Sequence, residues 1–152
     1  TGFAASEFLG TLTVTGKGGV DLQRQWAGDA RAYLGTAIPH FPNLFCMYGP
    51  NTNLVVNGSL VMFAECEMHY VMGCLKALLA SGARAMEVRQ AAYDSFNDRM
   101  DAANRFMAWG VPGARNWYKN AKGRVSQNWP LPTIEFWRET REPDLAHYSF
   151  IP

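Results

Sequence analysis

Hydrophobic and polar positions change period along this chain, and the changes mark its elements. Leu12 to Thr15 (LTVT) alternates in the manner of a strand and runs into Gly16-Lys17-Gly18-Gly19, which predicts a strand, a glycine turn and a hairpin. Val20 to Ala27 is short and polar, with Trp26 as an anchor. Ala32 to Ile38 and Leu44 to Tyr48 are continuous apolar runs of strand length, the second suited to a strand covered on both faces. Gly49-Pro50-Asn51 stops that run: Pro50 has no N–H for a ladder, and Gly49 tolerates φ values that other residues avoid. An asparagine-rich loop follows, then Ser59 as the N-cap of a helix from about Leu60 to Leu79, with Gly82 as its C′ residue. That helix is apolar around most of its circumference, so it is expected to lie in the middle of something. Met86 to Arg89 reads as a short strand, Ala91 to Trp109 as a second helix, and Pro132 or Thr133 to Arg141 as a third. The tail from Asp144 to Pro152 carries Tyr148, Phe150 and Ile151 and is expected to dock. The sum is one α/β domain over residues 1–152, with a small mixed β-sheet and about three main helices.

Composition sharpens this picture. Hydrophobic residues make up 48% of the 152 and charged residues only 18%, against a usual level of about a quarter. With 13% aromatics, the chain expects more cover than it supplies for itself. A net charge of +1 gives no electrostatic case for nucleic acid or an anionic membrane. Cys46, Cys66 and Cys74 match no zinc spacing and read as free thiols of a reducing compartment. No apolar run approaches the roughly 18 residues of a spanning helix, and the first residues lack a signal-peptide layout. The expectation is a soluble, cytoplasmic protein.

Candidate chemistry is sparse. His40, His69 and His147 fall in a loop, a mostly apolar helix and the tail, and His69 reads as a satisfied core or interface histidine. Glu65 and Glu67 point to different helix faces, one as a surface charge and the other in an internal ion pair. Lys17-Gly18-Gly19 lacks phosphate-loop spacing, and no serine sits in a nucleophile elbow. Trp117, Tyr118, Trp129, Phe136 and Trp137 read as packing residues, with Trp129 pinning the Asn128–Pro132 loop. No catalytic residue and no metal-ligand set stands out. What remains is the connection from Phe41 to Tyr70, where a helix N-terminus at the end of a strand favours an anionic or electron-rich ligand. An ordinary capped strand–loop–helix connection is the alternative.

Several motifs occur in an order that resembles one family. Thr1-Gly2-Phe3 resembles the end of the ATGF/ATGY signature of Baeyer–Villiger-type flavin-dependent monooxygenases. Gly16 to Gly19 with Leu22 and Trp26 resembles that family's G-x-x-G-x-x-L-x-x-x-W stretch. Tyr33-Leu34-Gly35, Phe41-Pro42-Asn43-Leu44-Phe45 and Gly49-Pro50-Asn51 resemble its YLG, FPNLF and GPN block. Glu65 and Tyr70 match its helix, and Trp117-Tyr118 and Trp129-Pro130 its later WY and WP positions.

The resemblance implies the C-terminal remainder of an FAD-binding, Rossmann-like domain. The full-length enzyme would use FAD and NADPH to insert oxygen next to a small apolar ketone, or to oxidise a heteroatom. It also implies that Gly49, Pro50, Asn51 and Thr52 give backbone groups at the isoalloxazine edge, while Asn57, Gly58, Ser59 and Leu60 line the flavin and substrate side. The family's two G-x-G-x-x-G fingerprints, its F-x-G-x-x-x-H signature and its active-site arginine lie upstream of the ATG motif and are absent from these residues. The chain alone is therefore expected to bind little or no FAD, to turn nothing over, and to need the N-terminal part of the same protein. The rival expectation is a free-standing, non-catalytic binding or assembly module, with homodimerisation covering an open sheet edge. A weaker third is a binder of small apolar ligands beside the Leu60 helix.

Overall fold

The structure is a computed structural model, and it describes residues 5–56 and 58–152. Thr1-Gly2-Phe3 and Asn57 lie outside the described residues. Among the described residues, four α-helices and two strands follow in the order α1 (Leu22–Trp26), α2 (Leu60–Ser81), β1 (Ala85–Val88), α3 (Gln90–Asn104), α4 (Thr133–Glu139) and β2 (Tyr148–Ile151), with short 3-10 turns at Lys17–Gly19 and Leu145–His147.

α2 is the axis of the fold, and its limits are set locally. The Ser59 side chain accepts from Met62 N at its start, and Gly82 at φ +70° ends it. Phe63, Cys66, Tyr70, Cys74 and Leu78 recur at helical spacing and form its buried face. They pack with Tyr33, Met86, Phe96, Met100, Trp129, Phe136 and Tyr148 in the main core. Phe63 stacks on Phe136 at 4.0 Å, and full burial of such a ring contributes roughly 2–3 kcal/mol. A second, smaller core gathers Leu22, Trp26, Ala32, Ile38, Phe41 and Cys46. The opposite face of α2 is uncovered: Val61, Met68, Met72, Leu75 and Leu79 are exposed. Among the described residues no helix is long and apolar enough to cross a membrane.

The expected mixed sheet is not found among the described residues. β1 pairs with β2 antiparallel, from Ala85 opposite Ile151 to Val88 opposite Tyr148, so the tail docks as expected. The runs at Leu12–Thr15, Ala32–Ile38 and Leu44–Tyr48 reduce to single bridges, Thr15 with Asp21, Tyr33 with Ala37, and Ala37 with Phe45. Only Ala32–Ile38 is buried throughout; Leu12–Thr15 is mostly exposed and Leu44–Tyr48 is buried only in part, and none of the three pairs as a strand. Leu34 (φ +50°) and Gly35 (φ +69°) reverse the chain, so that Tyr33 N donates to Ala37 O at 2.7 Å. Asn43 (φ +59°) and Tyr48 (φ +54°) break the third run, and Met47 and Tyr48 are exposed.

α3 stops at Asn104, not Trp109. Asn104 turns its side chain away to donate to Asn128 O and to accept from Trp109 Nε1. The chain then folds back so tightly that a Cβ on Gly110 would meet Asn104 O.

Candidate functional site

The sequence points to the connection between Tyr48 and α2, and the structure divides it in two. Gly49, Pro50, Asn51 and Thr52 form a buried loop, whereas Gly58, Ser59 and Leu60 stand exposed at the start of α2. No hydrogen bond among the described residues joins the two groups. Gly58 packs instead on Leu54 and on Thr133 of α4; a Cβ there would lie 2.6 Å from Leu54 Cδ1 and 2.9 Å from Thr133 Cγ2.

The buried loop is stacked on the Leu34-Gly35 turn. A Cβ on Gly49 would fall 2.0 Å from Gly35 O, and one on Gly35 would fall 2.1 Å from Thr52 Cγ2. Gly49 is therefore needed for close approach, not for the left-handed φ expected from sequence; its neighbours Tyr48 and Asn51 (φ +61°) take that conformation. The Thr52 hydroxyl donates to Gly49 O at 2.8 Å and closes the turn.

Underneath, Asn51 is tied to the distant 124–129 segment. Its N–H donates to Ser126 O (2.9 Å), and its Nδ2 donates to Val125 O (3.1 Å) and Asn128 O (3.0 Å). Its Oδ1 accepts from Arg124 Nη2 at 2.9 Å. Asn53 then bridges Asn128 in parallel, with Trp129 N donating to Asn53 O at 2.9 Å. Trp129 pins this loop as the sequence suggested, buried against Phe63, Phe96 and Phe136.

Arg124 is the hub of that underside. Its Nε donates to Asp101 Oδ1 (2.7 Å), and its Nη1 meets Asp29 Oδ1 (3.4 Å) and Ala30 O (3.0 Å). Arg31 closes the cluster, 3.1 Å from each of the same aspartates.

Glu67 lies on the other side of the loop and corrects a second expectation. It is completely buried, and among the described residues it has no cationic partner. Its Oε2 accepts from Tyr48 N at 2.8 Å, while Oε1 has no partner. Burial pushes its carboxyl up to about 7, against the opposing pull of the Tyr48 N–H and the neighbouring Thr52 side chain. Of the two settings expected for His69, the structure excludes the core. His69 is exposed and bonds Arg141 O at 2.9 Å, so it is satisfied but at the surface.

Unmet hydrogen-bonding capacity collects in this region. The buried side-chain atoms without partners among the described residues are Glu67 Oε1, Ser126 Oγ and Asn128 Nδ2, and each belongs to a residue bordering Tyr48–Asn53. At the start of α2, Ser59 caps Met62 N–H, and no acidic residue in the first turn offsets the positive end of the helix dipole. Sequence reasoning missed Asn97 and Arg124; it named Gly35 only as part of a motif, and it weighed Glu67 only as a surface charge or a member of an ion pair. Of these only Gly35 carried a local signal, a glycine inside an apolar run.

No protein-family profile matches the chain. Individual proteins do. The chain is 35% identical over 152 residues to a Baeyer–Villiger monooxygenase of Streptomyces coelicolor, covering 99% of this chain and 29% of that protein. It is 30% identical over 152 residues to the FAD-binding monooxygenase ktnD of Aspergillus niger, covering 97% of this chain and 25% of that one. This chain is homologous to a stretch of the Baeyer–Villiger and FAD-binding monooxygenases. It spans about a quarter of the length of these relatives. Solved monooxygenases share the fold. A steroid monooxygenase bound to NADP superposes with a TM-score of 0.79 at 24% identity, over 94% of this chain and 27% of that one. The complex of OTEMO with FAD and NADP gives 0.76 at 20% identity, over 99% and 28%.

Proposed function

We propose that this chain is the C-terminal part of the FAD-binding domain of an FAD- and NADPH-dependent Baeyer–Villiger-type monooxygenase. The observation that carries this reading is a buried loop that is braced from below, with Ser126 Oγ and Asn128 Nδ2 left without partners beside it, and that runs into an open helix start. In this reading Gly49, Pro50, Asn51 and Thr52 are the rigid edge on which the isoalloxazine rests. Gly58, Ser59 and Leu60 present the first-turn N–H groups of α2 to the electron-rich pyrimidine end of the ring. Asn57 joins them on the sequence resemblance alone. These groups fit one edge of a flavin, and nothing among them resembles a pyrophosphate cradle, which needs a G-x-G-x-x-G turn. Bound FAD would supply the oxygen chemistry. This chain's own residues orient the ring and exclude water from its lower face. A small apolar ketone-like substrate, NADPH and the upstream nucleotide-binding portion complete the enzyme, and the three buried free thiols fit a cytoplasmic setting.

The test is a reconstitution. FAD should give no thermal shift with the 152-residue chain. The same chain fused behind the upstream portion of the Streptomyces coelicolor relative should retain flavin absorbance through gel filtration and oxidise NADPH when given a ketone. Tight FAD binding by the chain alone, or a fusion that holds no flavin, would refute the proposal. A second reading, a self-associating assembly module, is favoured by the exposed face of Val61, Met68, Met72, Leu75 and Leu79. It predicts a stable dimer by sedimentation and no flavin in the fusion.

A further inference from the structure

We propose that Glu67 is the positioning residue of the Tyr48–Thr52 loop, acting as a neutral carboxylic acid that ties Tyr48 N–H to the Thr52 hydroxyl. Glu67 reaches the loop from the middle of α2, where it is completely buried. Tyr48 N donates to Oε2 at 2.8 Å. Oε1 points into the corner between the Leu34-Gly35 turn and the loop; a Cβ on Gly35 would lie 3.5 Å from it. The Thr52 side chain borders the same corner, its Cγ2 2.1 Å from that Cβ position. Among the described residues no positive charge balances Glu67. The titratable groups facing it are Cys46 and Tyr48 from the preceding segment and Cys66 from α2, none of them cationic. Arg124, beneath the same loop, bonds Asp29, Asp101, Asn51 and Asn97.

The protons then decide the matter. Thr52 has one hydroxyl proton, and it goes to Gly49 O. A carboxylate at Glu67 would leave Oε1 as a buried acceptor with no donor, a costly state for an ionised group. A carboxylic acid removes the orphan. Oε1–H donates to Thr52 Oγ1, Thr52 donates to Gly49 O, and Oε2 still accepts from Tyr48. The chain of bonds is complete, and each bond polarises the next. Removing the proton forces Thr52 to choose between Gly49 and Glu67, and the loop loses one of its ties. Only the consequence for flavin rests on the function proposed above; the role in the loop does not.

The experiment has two parts. The Tyr48 amide resonance of the chain is followed by NMR across pH, in the native protein and in Glu67→Gln. The glutamine carries an acceptor for Tyr48 and a donor for Thr52 at every pH. The native resonance should titrate with a midpoint near 7, and that of E67Q should not titrate while keeping the low-pH native position. A native midpoint in the ordinary carboxylate range, or an unchanged titration in E67Q, overturns the proposal. In the second part, FAD affinity of the assembled flavoprotein is measured from pH 6 to 8.5. It should weaken several-fold with rising pH in the native protein and stay level in E67Q. A Tyr48 titration with pH-independent FAD affinity would leave the role of Glu67 standing and overturn its link to the flavin.

Discussion

Replacing Arg124 tests how the candidate loop is held. The guanidinium is almost wholly enclosed and joins four parts of the chain: Asp29 with Ala30, Asn97 with Asp101 on α3, Asn51, and its own segment. In Arg124→Met the apolar volume is roughly kept and the fork is lost. Breaking a buried ion pair typically costs about 3–5 kcal/mol, because a charge is left without its partner. Here Arg31 still sits 3.1 Å from Asp29 and from Asp101, which offsets part of that cost. Against this, the carboxamide oxygens of Asn51 and Asn97, both buried, lose a donor, at about 1–3 kcal/mol for a fully orphaned group. The net expectation is about 4 kcal/mol, a large fraction of the roughly 5–15 kcal/mol that holds a domain together. Urea unfolding followed by fluorescence of the buried Trp26 and Trp129 measures it. Arg31→Met removes a more exposed side chain from the same aspartates and should cost about 1 kcal/mol. Arg124→Lys should fall between, since one ammonium cannot reach both Asp101 and Asn51. A loss below about 1 kcal/mol in R124M, or equal losses in R124M and R31M, would refute the reasoning.

Four further outcomes follow from particular contacts. Gly35→Ala puts a Cβ 2.1 Å from Thr52 Cγ2 at φ +69° and should cost about 3 kcal/mol by urea unfolding, whereas Gly18→Ala, at the same φ but in open space, should cost about 1. The Glu67 carboxyl is raised from 4.5 to about 7, so the folded state keeps a proton that the unfolded chain releases. Stability therefore falls with rising pH across that window, by about 3 kcal/mol in total, then levels off; Glu67→Gln should abolish this slope in unfolding curves taken from pH 4 to 8. Ser59→Ala removes a long 3.4 Å cap bond and should lower helix stability by only about 0.5 kcal/mol in the same assay. Replacing Val61 and Leu79 together by serine should reduce self-association of the isolated chain in sedimentation without lowering its melting temperature, because both side chains are open to solvent.

What could be read from sequence is what the chain decides locally. Ser59 and Gly82 bracket α2 because a cap needs only its own neighbours. β1 and the docked tail were visible as short apolar runs, and the ordered motifs pointed to the family that the relatives share. The three misread strands show the limit of hydrophobic runs. Tyr33–Ala37 is buried without being extended, since left-handed Leu34 and Gly35 bend it within five residues. Periodicity reports burial, and only turn chemistry could separate a strand from a buried coil. Glu67 and Arg124 were illegible for another reason. Their environments are made by residues far away in the chain, 19 positions away for Tyr48 and 95 for Asp29.

The distribution of polar groups gives the loop its meaning. The chain is poor in charge, yet it buries Arg124, most of Asp29 and Asp101, and Glu67 directly around Tyr48–Asn53. Apolar packing alone fixes a loop loosely, because it is non-directional. Hydrogen bonds to Asn51 and Tyr48 fix it in orientation as well, from two sides and through two independent networks. Among the described residues no comparable bracing surrounds Gly58–Leu60, where the Ser59 side chain supplies a single long cap bond. Under the function proposed above, the braced loop would seat the flavin ring and the helix start would meet its electron-rich edge.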